Sequence, residues 1–179
     1  METARLDVPF YSQHADDVPE EWRMRACGIT VLKMALDYYS TVLQNNRIRL
    51  SRPGMGELID EGVAMGGYLD NVGWRHDALV ALAEKHGVAA HRAEFKSDKQ
   101  KRVEELRQAL GRGEVPAVSI STDHKDPSTF HLVALIGYDE NGFHYNDPAC
   151  AGAREDRGKF VSYDGFEKIW RGLVMFFGA

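Results

Sequence analysis

Between Ala26 and Tyr39 the chain is apolar at positions 29, 32, 35, 36 and 39 and again at 31, 34 and 38. At 3.6 residues per turn these positions wrap most of a helix's circumference, and such a helix is stable only where other elements cover it on nearly every side. The run therefore predicts a central helix around which the remaining chain must pack. It opens with Arg25-Ala26-Cys27-Gly28-Ile29-Thr30, which puts Cys27 at the helix N-terminus. Unpaired backbone N–H groups and the positive end of the helix dipole favour a thiolate there, lowering a cysteine pKa from about 8.5 to as low as roughly 3.5–7.5. Cys27 is thus a candidate nucleophile, set against the commoner fate of a free cysteine as a small buried hydrophobe. A base, a group to orient that base and a donor for an oxyanion would separate the two readings.

With 179 residues, 44% of them hydrophobic, there is material for one well-formed core, and residues 1–179 are expected to form a single domain. A net charge of −5 argues against nucleic acid or an anionic membrane as the main partner. No segment reaches the roughly 18 uninterrupted apolar residues that span a bilayer, and the N-terminus has no signal-like apolar core. With two distant cysteines, Cys27 and Cys150, the chain fits a reducing compartment, and a cytoplasmic location is expected. None of the histidines pairs with these cysteines at metal-ligand spacing, so neither a metal nor another cofactor is expected.

Residues 6–13 read as extended, because Val8 precedes a proline. A polar loop holding Asp16, Asp17, Glu20 and Glu21 leads to the Cys27 helix. Helices are predicted over 57–64, 75–86 and 99–110, the last capped by Asp98, with a strand over 88–95. From Val115 the period changes. Strands are predicted over 116–121, 130–138, 143–147, 159–163 and 173–177, with a loop over 122–128 and a hairpin turn at Asn141-Gly142. Asp164 is the expected cap of a short helix running to Trp170. Helices first and antiparallel strands second make an α+β fold.

His131 starts the first strand of that hairpin and Asp147 ends the second. Allowing for a bulge, the two are expected to face one another at its open end, where a carboxylate can hold an imidazole in one tautomer. Four stretches occur in order: Val8-Pro9-Phe10-Tyr11-Ser12-Gln13, then Cys27-Gly28, then Phe130-His131-Leu132-Val133-Ala134-Leu135-Ile136-Gly137-Tyr138-Asp139, then Tyr145-Asn146-Asp147-Pro148-Ala149. Together they resemble the papain-like cysteine peptidase domain of bacteriocin-processing transporters, which cut double-glycine leaders, and its stand-alone relatives.

The resemblance implies a papain-like fold with the nucleophile at the start of the central helix and an antiparallel sheet toward the C-terminus. It also implies Cys27 as nucleophile, His131 as general base, Asp147 as its orienting carboxylate, and Gln13 as an oxyanion donor beside the Cys27 N–H. Gly28 and Phe130 are expected to bind substrate, Gly28 by leaving room for the carbonyl or else by packing. The implied activity is thiol-dependent cleavage of a peptide or related amide bond, with a peptide or protein as partner. Acyl transfer from the same intermediate and a catalytically silent peptide-binding module are the alternatives. The chain departs from the family at Ile29-Thr30, where many relatives carry Pro or Ala, and in an insert over about 47–73. Met55, Met65, Tyr68 and Trp74, in and beside that insert, are expected either in a cleft wall or in the core. The acids at 16, 17, 20 and 21 suggest a preference for basic substrates.

Overall fold

In the computed structural model, which describes residues 3–44, 50–95, 99–123, 126–150 and 157–178, the apolar run folds as α1 (Cys27–Gln44). Ile29, Val31, Leu32, Met34 and Ala35 are fully buried, so the helix is covered all round as its pattern requires. The cover comes from α2 (Met55–Ala64) and α3 (His76–Lys85) on one side and from a large antiparallel sheet on the other. The helix α2 starts two residues before its predicted position, because the Glu57 carboxylate reaches back to accept from the Gly54 N–H at 3.3 Å. Between α2 and α3 the chain makes a small hairpin of β2 (Tyr68–Leu69) and β3 (Gly73–Trp74).

Seven strands form the main sheet: β1 (Ala4–Arg5), β4 (Ala90–Glu94), β5 (Val115–Asp123), β6 (Asp126–Tyr138), β7 (Gly142–Asn146), β8 (Lys159–Ser162) and β9 (Trp170–Phe177). Their order is β4-β9-β5-β6-β7-β8, with β1 pairing on the far end of β6. On one face Ala117, Leu132, Ala134, Ile136 and Met175 pack against α1 and its neighbours. On the other, Val118, Val133, Leu135 and Val174 pack under α4 (Lys99–Gly111) and α5 (Tyr163–Ile169). Because β6 is buried on both faces, it reads as an unbroken apolar run rather than an alternation.

The fold is α+β, as expected. Three local expectations change. The predicted loop over 122–128 is partly strand, with Asp123 paired to Asp126 beyond a bulge, while residues 124–125 lie outside the described residues. Ser162, not Asp164, caps α5, its Oγ accepting from the Gly165 N–H at 3.2 Å; Asp164 lies in the first turn, where its charge suits the dipole. The last strand begins at Trp170, three residues early, and pairs there with Ile120. The predicted Asp98 cap and most of the loop over 150–158 fall outside the described residues. No helix among the described residues is long and apolar enough to cross a membrane.

Candidate active site

Cys27 is the first residue of α1, and His131 lies on β6, the strand packed against that helix. Asp147 follows the last residue of β7. In the β6/β7 ladder Tyr138 pairs with Phe143 and Gly137 with His144; after a bulge, Leu135 pairs with Tyr145 and Ala134 with Asn146. Continued one step, that register sets Asp147 across from Val133, two residues away from His131. The expected facing pair is therefore a diagonal one, with the side chains closing the gap: His131 Nε2 stands 2.7 Å from Asp147 Oδ1. The Cys27 thiol is the ring's second neighbour, and each group shifts the other's pKa.

Asp147 is fixed from several sides. Its Oδ1 also accepts from the Ala149 N–H at 3.0 Å, and its Oδ2 accepts from Lys159 Nζ on β8 at 3.2 Å. The segment that carries it is tied to the N-terminal strip: Gln13 N–H donates to the Pro148 carbonyl at 2.8 Å, and Ser12 Oγ to the Cys150 carbonyl at 2.6 Å. Asn146, buried next to it, donates to the Val8 carbonyl.

These contacts set the protonation states. Burial works against a charged thiolate at Cys27, but the hydrogen bond and charge of His131, with backbone contacts at Leu132 and Gly28, bring its pKa below the ordinary 9.0. Burial likewise works against an imidazolium at His131, yet the hydrogen bonds to Asp147 and Cys27 and their charges push it up to about 9. Burial raises Asp147, and the bond and charge of His131, the Ala149 N–H and Lys159 more than reverse this, holding its carboxyl well below the usual carboxylate range. Together the directions favour a thiolate at Cys27, an imidazolium at His131 and a carboxylate at Asp147. Among the described residues no group of three His, Cys, Asp or Glu side chains is placed to hold a metal ion.

Residues 5–174 match the model of the Peptidase_C39 like family. The chain belongs to that family. Its fold is also that of solved C39 structures. A protein from Bacillus anthracis assigned as a C39-like peptidase superposes with a TM-score of 0.68 at 20% identity, covering 99% of this chain and 98% of the other. A double-glycine-motif protease from an AMS/PCAT transporter, solved in complex with its leader peptide, gives 0.62 at 18% identity over 98% and 95%. The peptidase domain of Streptococcus ComA, a bi-functional ABC transporter, gives 0.58 at 17% over 96% and 98%. No curated protein matches. At these identities the likeness shows the papain-like fold.

Cys27 and His131 lie at a cleft of about 780 Å³ whose lining also includes Phe130, Trp74, Tyr68 and Leu132. Phe130 is 43% exposed, with the Arg171 guanidinium over its ring. Gln13 does not line the cleft. It is buried beside the segment entering α1, where Nε2 donates to the Arg23 carbonyl at 2.8 Å; its Oε1 is buried without a partner among the described residues. At Gly28 an added Cβ would lie 3.0 Å from both Leu79 Cδ1 and Trp74 Cβ, so the glycine lets these side chains pack closely on the helix start. Of the insert and its flank, Met55 is in the core and Met65 is exposed, whereas Tyr68 and Trp74 join Trp22 in an aromatic wall with ring centroids 5.0–5.5 Å apart.

The four acids read as favouring basic substrates do not line the cleft, and Asp16 ion-pairs with Arg23 at 3.7 Å. The charged groups that do line it are mostly cationic: Arg25, Arg75, Arg92 and Arg171, with one carboxylate, Asp77. Sequence reasoning missed these arginines and Lys159. They come from a loop, the start of α3 and three separate strands, and no local pattern marks them as neighbours.

Proposed function

We propose that this chain is a cysteine peptidase that cleaves a peptide bond through an acyl-enzyme on Cys27, residues 1–179 forming one domain for that purpose. The observation that carries the reading is the His131 imidazole, bonded at Nε2 to Asp147 and near enough to the Cys27 thiol that each shifts the other's pKa. In this mechanism the thiolate attacks the substrate carbonyl, forming a C–S bond and an oxyanion. The Cys27 N–H stabilises that oxyanion, and Gln13 Nε2 joins it by leaving the Arg23 carbonyl to which it donates in this structure. His131 gives its proton to the leaving amine as the C–N bond breaks. It then takes a proton from water, which attacks the thioester and returns the free thiolate. Asp147 keeps the ring oriented and charged, and Lys159 keeps Asp147 in place. Phe130 offers exposed apolar surface to the substrate, and Gly28 acts indirectly by letting Trp74 close over the helix start. The leader peptide bound to the AMS/PCAT protease supports a peptide as the partner class.

The test is the pH dependence of iodoacetamide alkylation at Cys27 and at Cys150, read by peptide mass mapping in the wild type and in His131→Ala. The expected result is that Cys27 reacts well below pH 7 and that the substitution removes this advantage. Thiols titrating alike near pH 8.5 would overturn the reading.

A further inference from the structure

The charge around the cleft is opposite in sign to that of the molecule. In a chain of net charge −5, the described lining carries four arginines and one carboxylate. That carboxylate is already committed: Asp77 holds Arg75 with both oxygens and caps the Ala78 N–H at 3.0 Å. Arg25 lies over the rings of Trp22 and Tyr68 at the cleft edge. Arg92 and Arg171 remain. They project from β4 and β9, adjacent strands whose ladder continues past Glu94 through the Phe95 N–H to the Gly172 carbonyl. Glu94, on β4 beyond Arg92, does not line the cleft.

Both arginines act on His76, the first residue of α3 and also a lining residue. Burial lowers its pKa first, and the positive charges of Arg92 and Arg171 lower it further, so three basic side chains share one region. Arg171 lies over the Phe130 ring face. Two planar guanidinium forks at the wall of a cleft whose lining is otherwise partly apolar are suited to bidentate carboxylate recognition.

We propose that this cleft selects peptides carrying a carboxylate close to the scissile bond, held by Arg92 and Arg171. The proposal deepens the peptidase reading and rests on it for the position of the scissile bond. The carboxylate is either an Asp or Glu side chain or the free C-terminus of a short peptide.

Three thiol-directed probes separate these cases. They are iodoacetyl-Ala-Gln-amide, which is neutral, iodoacetyl-Ala-Glu-amide, with a side-chain carboxylate, and iodoacetyl-Ala-Gln with a free terminal acid. In each the Cys27 thiolate displaces iodide and forms a C–S bond. At low salt at least one carboxylate probe should alkylate Cys27 on the order of 10-fold faster than the neutral one, the lower end of what a cleft lined by one sign of charge achieves. That ratio should fall toward one in Arg92→Gln and Arg171→Gln and shrink in high salt. A preference for the Glu probe identifies internal acidic residues as the ligand, and one for the free acid identifies chain ends. Equal rates for all three probes, or a ratio unchanged in both variants, would overturn the proposal. The peptidase reading fails separately, through a neutral-probe rate at Cys27 no higher than at Cys150, while the ratio still reports the charge of the cleft.

Discussion

An imidazole with a carboxylate at 2.7 Å on one side and a thiol on the other keeps its proton well above the pH at which a free histidine releases it. Hydrolysis by the pair should therefore give a bell-shaped kcat/KM profile. Its acid limb reports thiolate formation, below the ordinary thiol value, and its alkaline limb lies near 9, where His131 loses its proton. Asp147→Asn removes the charge while keeping much of the shape, so the alkaline limb should move down toward 6.5; an unmoved limb would show that Asp147 does not set it. Gln13→Ala should lower kcat by about 10²–10³, or roughly 2.7–4 kcal/mol, as expected for one lost oxyanion donor. The pH at which Cys27 alkylates should stay unchanged in that variant, and a change there would point to a structural role instead. Cys27 was legible as a candidate because a helix terminus has known chemistry. The nearness of His131 and Asp147 was legible from the hairpin spacing with a bulge allowed for, but its diagonal register was not, because that depends on where the bulge falls and on side-chain reach.

Elements were most legible where one pattern decided them. The helix α1 declared itself by being apolar all round, and β6 by an unbroken run that only two covered faces explain. Caps and loop bounds were less legible, since Ser162 and Asp164 are both competent caps and only the geometry of the Gly165 N–H chooses between them. The aromatic wall over α1 was readable only in part, because the packing of α2 on β3 depends on a residue without a side chain. A Cβ at Gly62 would lie 2.5 Å from Trp74 Cζ3, and that ring is held by its Nε1 bond to the Arg25 carbonyl at 2.8 Å. Gly62→Ala should therefore destabilise the fold by up to about 2 kcal/mol in urea denaturation, because overpacking costs about 1–3 kcal/mol against a helix-propensity gain of up to about 1 kcal/mol. Trp74 lines the cleft, so the same variant should also slow alkylation of Cys27. A gain in stability would mean that the ring moves freely and the wall is not fixed.

Across the whole molecule the site joins α1 on one side of the sheet to a hairpin within it, so folding and protonation are linked. A histidine raised in the folded state contributes stability that is complete below its unfolded value of 6.5 and is lost as pH rises through its folded value, about 9. A thiol depressed in the folded state contributes the reverse: stability complete above its unfolded value of 9.0 and lost as pH falls through its folded value. Above 6.5, at any pH between the folded values of Cys27 and His131, the folded chain holds the proton on His131 and the unfolded chain holds it on Cys27. Neither state binds more protons through this pair, so its contribution to unfolding free energy should be flat with pH over that range. Cys27→Ala breaks the balance, leaving a His131 still raised by Asp147 with no thiol to offset it. Its stability should fall by about 1–2 kcal/mol relative to wild type as pH rises across the range, because a pKa that differs by one between the folded and unfolded chain is worth about 1.36 kcal/mol. Urea denaturation of both proteins at several pH values measures this difference, and parallel curves would mean that no proton is exchanged between Cys27 and His131 on folding.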